Sequence, residues 1–255
     1  MDSVNAVSEF IVKDFNPNLD GEIHLFSSLL DQPGEIISHF WATLSKEEKD
    51  RISKYKFKLL RDRQTVSNGL LKSFIANYLN IETGKINFVQ NEYGKPLLKP
   101  ELNEIGLHFN ISHSEHLGMF AFTIGKQLGI DIESVQEITN LNQIVDLCFS
   151  DFEKEWYYNS DPGLKKELFY KVWTGKEAYI KAIGKGLSFP LKEIEFKINS
   201  NNSIEFQNVH GDLPYRGKWN IFTFNPHPNF ISSLVVEANG LKIRRYSLDD
   251  AFMQV

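Results

Sequence analysis

Twice along this chain a Ser-x-x-Glu pattern opens a helical region, and twice the helices give way to short apolar runs divided by turns. Ser45 with Glu48 and Ser150 with Glu153 carry the pattern, in which the two side chains satisfy backbone amides left over at a helix start. After the first pattern a helix starts near Lys46, a second helical run covers about Asp62 to Leu79, and Thr83-Gly84 ends it. Ile86–Val89 and Leu107–Ile111 read as strands around the turn Tyr93-Gly94-Lys95-Pro96, and Leu117 to Ile132 as a hairpin or two paired strands. After the second pattern, Asp161-Pro162 looks like an N-cap with proline at the first helical position. A long helix then runs to about Ile183, closed by Gly184 and Gly186, and apolar runs follow at Ile194–Ile198, Trp219–Phe224 and Ile231–Val236. This order predicts an α+β protein of two similar halves, residues 1–125 and 126–255, meeting near Gly125. No residue-by-residue repeat underlies them, and the lack of a low-complexity linker predicts a tight interface.

Composition narrows the function. A 42% hydrophobic content suffices for buried cores. Cys148 is the sole cysteine, so no internal disulfide and no thiolate cluster can form, and any metal needs oxygen ligands with or without histidine. The start MDSVNAVSEF is acidic where a secretory signal is basic, and no apolar run nears the roughly 18 residues of a membrane span, so a cytoplasmic protein without a membrane is expected. A net charge of −5 argues against nucleic-acid binding. Arg51, Lys54, Lys56, Lys58, Arg61 and Arg63 make one basic stretch, which suits a small polyanion, an acidic protein surface or simply a solvated helix face.

Three groups of residues can carry chemistry. In Gly129-Ile130-Asp131-Ile132-Glu133, strand periodicity sends Asp131 and Glu133 to one face and both isoleucines to the core. Two carboxylates forced together suit a hard cation such as Mg²⁺ with phosphate oxygens, or an acidic strand facing solvent. Glu177 and Lys181, four apart on the long helix, share a side that Trp173 marks as protein-facing. There Glu177 can act as a third metal ligand that helps deprotonate a hydroxyl, with Lys181 and Lys176 as phosphate clamps; an ordinary ion pair is the alternative. Ser112, His113 and Ser114 follow a strand, where they can meet phosphate oxygens, although a structural role also suits His113. A nucleophile elbow lacks its glycines there, Gly175-Lys176 lacks the rest of a P-loop, and no dinucleotide fingerprint is present.

Taken in order, NEYGKP, HFNISHS, GIDIE and FYKVWTGKEAYIKAIGKGLS resemble the motifs of the Sfp-type 4′-phosphopantetheinyl transferases, chiefly over Asn91 to Ser188. The resemblance implies two α+β halves related by a pseudo-twofold, with the active site in the cleft between them. It implies Asp131, Glu133 and Glu177 as ligands of Mg²⁺, or of Mn²⁺ in its place. Glu177 would take the proton of a carrier serine, and Lys181 would steady the phosphate and the leaving group. Arg63, Lys95, Pro96, Ser112, His113, Lys176 and Lys181 would line the coenzyme A site, with His113 and Arg63 on phosphates. Where family members often carry a lysine near the adenosine phosphate, this chain has Glu48, with Arg51 next. The implied activity is transfer of phosphopantetheine from coenzyme A to an apo acyl, peptidyl or polyketide carrier protein, releasing 3′,5′-ADP, by a monomer. A non-catalytic coenzyme A or carrier-binding module of the same fold is the alternative, and a metal-dependent phosphohydrolase ranks last.

Overall fold

Strand β1 (Glu22–Leu29) sends alternate side chains into two different cores, and this sets the architecture. Phe26 joins Phe40, Phe74, Phe120 and Phe122 under the helices of the first half, whereas Ile23 and Leu25 pack with Ile130, Ile132 and Leu234. The second of these cores is the seam between the halves. The computed structural model describes residues 17–209, 219–238 and 240–248; the segment MDSVNAVSEF lies outside the described residues.

After β1 come α1 (Gly34–Thr43), α2 (Lys46–Ser53) and α3 (Lys58–Leu79), the hairpin β2 (Phe88–Gln90) and β3 (Pro96–Leu98), then β4 (Leu107–Ser114) and β5 (Leu117–Ile124). The second half repeats that order. Strand β6 (Leu128–Ser134) precedes α4 (Leu141–Cys148), α5 (Asp151–Asn159) and α6 (Lys165–Ile183). The hairpin β7 (Ile194–Ile198) and β8 (Ile204–Val209), then β9 (Asn220–Phe224) and β10 (Phe230–Val236), complete it. In each half the opening strand pairs antiparallel with the last, which pairs antiparallel with the one before it, giving β1-β5-β4 and β6-β10-β9. The two α+β halves therefore share one topology. Strand β11 (Lys242–Ser247) crosses back to pair in parallel with β1, so the last strand belongs to the first sheet.

The duplication extends to buried side chains. Both Ser-x-x-Glu patterns form full capping boxes, at the starts of α2 and α5. In each, the glutamate also meets a buried lysine of the half's long helix: Lys72 Nζ lies 3.0 Å from Glu48 Oε2 and Lys176 Nζ 2.6 Å from Glu153 Oε2. Each lysine also donates to the carbonyl two residues before the capping serine, Thr43 O at 3.0 Å and Cys148 O at 2.9 Å. A short helix is thereby locked to a long one in both halves. Removing one partner of such a pair leaves a buried charge and costs about 3–5 kcal/mol.

Three expectations need correction. Strands β5 and β6 do not pair with each other; Gly125, at φ +64°, turns the chain from one sheet into the other. Asp161-Pro162 does not open α6, because the Asp161 carboxylate accepts from Gly163 N at 2.7 Å in a local turn and the helix begins at Lys165. The first long helix starts at Lys58 rather than near Asp62, and β1, α1 and β11 went unread.

Candidate active site

The site forms where α6 presses on β6, and Gly129 is what lets it. A Cβ at Gly129 would stand 2.0 Å from Ala178 O and 2.5 Å from Ala182 N, so only glycine admits the helix backbone this close. Asp131 and Glu133 of β6 and Glu177 and Lys181 of α6 are thereby drawn together. Ile130 and Ile132 are fully buried, as the alternation requires.

The strand β4 of the first half runs beside β6 and is stitched to it by side chains. Asn110 Oδ1 accepts from Ile130 N at 2.8 Å, Ser112 Oγ donates to Asp131 Oδ1 at 2.9 Å, and Ser114 Oγ donates to Glu133 Oε2 at 3.0 Å. Residues 110, 112 and 114 share one face of a strand, which is why every second residue takes part. Lys181 Nζ completes a triangle, 2.6 Å from Asp131 Oδ1 and 2.8 Å from Ser112 Oγ.

Electrostatics makes this cluster unusual. Burial and then the Asp131 charge push the Glu177 carboxyl up to about 7, with a further push from Glu133 and relief from Lys181. Burial and Asp131 also raise Glu133, against hydrogen bonds from Ser114 and Trp173. A carboxyl that changes protonation near neutrality is suited to take a proton from a hydroxyl. Asp131 Oδ2 is buried and has no hydrogen-bond partner among the described residues. A bare buried carboxylate oxygen beside two further acids is a fitting donor for a hard cation. Among the described residues, no three His, Cys, Asp or Glu side chains form a preassembled metal group. The acids thus share one field without closing on one point, and Lys181 takes the other oxygen of Asp131.

A cleft of about 1010 Å³ adjoins the cluster, lined by Arg51, Tyr55, Gln64, Gly94, Pro96 and Ile111 among others. Strand β4 is the common wall: Ile111 faces the cleft and the neighbouring Ser112 reaches Asp131. The His113 ring Nε2 lies 2.7 Å from Gln64 Nε2. Desolvation, then the Lys181 and Arg63 cations, hold the His113 pKa below the ordinary imidazole value.

Of the residues implicated by sequence, Asp131, Glu133, Glu177, Lys181, Ser112 and His113 assemble here and Pro96 lines the cleft. Lys176 does not: it is 1% exposed and held by Glu153, Cys148 O and Leu191 O, so it is no phosphate clamp. Arg63 is gripped bidentately by Asp31 at 2.6 and 2.8 Å, with Glu115 at 3.9 Å, which neutralises the cation proposed for phosphate. Lys95 directs its amine to Ala182 O at 2.8 Å, although its neighbours Gly94 and Pro96 line the cleft. Burial lowers its pKa to about 8. Glu48 lies on the cleft wall with Oε2 committed to Ser45 N and Lys72 and Oε1 buried without a hydrogen-bond partner among the described residues, and Arg51 reaches Asn68 Oδ1 at 3.4 Å. The basic stretch is divided in the same way, since Arg61 holds Tyr55 O and Lys56 O and Lys58 pairs with Asp62. Gln64, Asn91 and Asn110 were missed; Asn91 and Asn110 lie inside the motifs NEYGKP and HFNISHS, but no local pattern reveals their partners across the seam, Gly184 O and Ile130 N.

Comparison with known proteins identifies the family. A family described as the 4′-phosphopantetheinyl transferase superfamily matches residues 127–231, and one described as 4′-phosphopantetheinyl transferase, N-terminal, matches residues 34–124. The 4′-phosphopantetheinyl transferase HetI of Nostoc sp. is 32% identical over 87% of this chain and 90% of its own length. The 4′-phosphopantetheinyl transferase Sfp of Bacillus subtilis is 30% identical over 73% of this chain and 82% of its own. The human L-aminoadipate-semialdehyde dehydrogenase-phosphopantetheinyl transferase is 31% identical over 63% of this chain and 54% of its own. Among the described residues, no helix is long and apolar enough to cross a membrane.

Proposed function

The chain belongs to the 4′-phosphopantetheinyl transferase family, and we propose that the cluster between β4, β6 and α6 is where it moves the phosphopantetheine arm of coenzyme A to a carrier-protein serine. The observation that carries this reading is the triangle of Lys181, Ser112 and Asp131, with Asp131 Oδ2 bare beside a Glu177 that titrates near neutrality. The serine oxygen attacks the phosphorus bearing the pantetheine arm, the bond to the bridging oxygen breaks, and 3′,5′-ADP leaves with that electron pair. Glu177 takes the hydroxyl proton. Lys181 faces the same point and steadies charge on the phosphate oxygens. Asp131, Glu133 and Glu177 would hold Mg²⁺, whose role is to neutralise charge on the diphosphate of coenzyme A. No covalent enzyme intermediate is needed.

Ser112 reaches the acids from one face of β4 and His113 meets the cleft-lining Gln64 from the other, and Pro96 and Gly94 form the near wall of the cleft that receives the nucleotide end. Both halves lie in one chain and build the site together, which supports action as a monomer. The test is direct. The protein is mixed with coenzyme A, Mg²⁺ and a panel of apo fatty-acid, polyketide and peptidyl carriers, and the carriers are weighed intact. A phosphopantetheine mass is expected on at least one; none on any carrier refutes the reading. Asp131→Ala and Glu177→Ala are expected to abolish transfer while leaving the fold intact.

A further inference from the structure

We propose that Asn91 and Lys95 are positioning residues: the turn that carries them, from the first half, fixes the end of α6 against β6 and so holds Lys181 and Glu177 in register with Asp131. The turn is built to project two donors. Asn91 Oδ1 accepts from Tyr93 N at 3.0 Å and from Lys95 N at 2.9 Å, which leaves the amide nitrogen pointing outward to donate to Gly184 O at 2.7 Å. Lys95 Nζ donates to Ala182 O at 2.8 Å and lies 3.5 Å from Leu128 O.

These acceptors are not arbitrary. The last carbonyls of a helix have no partner within it and carry its negative dipole end, so a cation and an amide satisfy them doubly. Gly184 closes α6 in the left-handed region at φ +69°, and a Cβ there would meet Asn91 Nδ2 at 2.8 Å and Lys95 Cδ at 3.2 Å. The turn therefore packs directly on the helix end. Ala182 follows Lys181 and Leu128 precedes Gly129, so one ammonium touches both elements whose side chains form the Lys181–Asp131 pair. The flanking Gly94 and Pro96 line the cleft, so the same turn that shapes the nucleotide wall sets the helix bearing the proton acceptor.

This inference rests on the transfer activity, and its test separates the two. Lys95→Met and Asn91→Asp are compared with the wild-type chain; Asn91→Asp keeps the oxygen that organises the turn and puts a charged acceptor in place of the donor to Gly184. Both variants are expected to lower kcat by about tenfold to a hundredfold, with KM for coenzyme A within about twofold of wild type. A raised KM at unchanged kcat would make Lys95 a coenzyme A ligand and overturn the proposal, as would a fall in thermal stability with both constants unchanged. Amide hydrogen exchange is read in parallel and needs no activity. Faster exchange at residues 128–131 and 180–184 is expected in both variants, and unchanged exchange there overturns the proposal even if the wild-type chain loads no carrier.

Discussion

Replacing Gly129 by alanine adds one methyl group where β6 meets α6. The new Cβ would stand 2.0 Å from Ala178 O, 2.5 Å from Ala182 N and 3.0 Å from Ala182 Cα, where ordinary contact begins at 3.4 Å. All three atoms are backbone, so no rotamer change relieves the clash. The helix must retreat by about 1.4 Å, the difference between 3.4 and 2.0 Å, or β6 must bend away. Overpacking of a rigid contact costs about 1–3 kcal/mol, and this one belongs at the upper end. At about 2–4 °C per kcal/mol for a chain of this size, Tm should fall by about 6–12 °C. Because α6 carries Glu177 and Lys181, a shift of this size should also lower kcat by about a hundredfold. Thermal scans and steady-state carrier loading measure both. Gly84→Ala is the control, since its Cβ meets nothing within 4 Å and should change stability by less than about 0.5 kcal/mol. A Gly129→Ala protein with wild-type Tm and kcat would refute the claim that this contact positions the site.

The other predictions follow from the same geometry. Lys176→Met strands Glu153 in the core and should cost about 3–5 kcal/mol in chemical denaturation with KM for coenzyme A unchanged; Lys72→Met should cost a similar amount. Lys181→Met should lower kcat by about 10²–10³-fold, read in the carrier-loading assay. Without divalent cation, Glu177 keeps its proton up to about pH 7 in the folded state and loses it near 4.5 when unfolded, so its contribution is full below 4.5 and fades as pH rises through 7. The pH dependence of Tm should therefore be flatter between those values in Glu177→Gln than in wild type, and identical curves would show that Glu177 does not retain its proton. Mg²⁺ at about 100 times its Kd should stabilise the protein at pH 8 by about 2.7 kcal/mol, and Asp131→Asn should remove most of that shift.

How far sequence reaches depends on whether a role is local. The capping boxes at Ser45 and Ser150 were legible because a helix start is decided within four residues. The shared face of Asp131 and Glu133 was legible because strand periodicity is local too. Whether β5 and β6 pair was not, since both sequences are equally β-like and the partner, β1 or β10, lies a hundred residues away. Lys176 misled for a related reason. It neighbours Glu177, but successive helix residues point about 100° apart, so one faces the acids and the other the core. Lys95 is a cation in the NEYGKP motif and Arg63 one in the basic stretch, and only tertiary partners, the end of α6 and Asp31, reveal where their charges go.

The duplicated scaffold explains why chemistry sits on one side only. Superposing the buried locks pairs Lys72 with Lys176, so Ser73 and Asn77 stand where the second half has Glu177 and Lys181. Both first-half residues turn inward on their own helix: Ser73 Oγ donates to Gly69 O and Asn77 Nδ2 to Ser73 O. The equivalent face of α3 thus offers no charge, and the first half supplies walls and hydroxyls instead, through the cleft, Ser112 and the turn at Asn91. Two halves of one topology can then meet along β4 and β6 with a single set of acids at the seam. A second acid set on α3 would confront no lysine equivalent to Lys181. Burial would raise such carboxyls as it raises Glu177, without the cation that tempers it. The asymmetry is therefore what allows a twofold scaffold to hold one reactive centre.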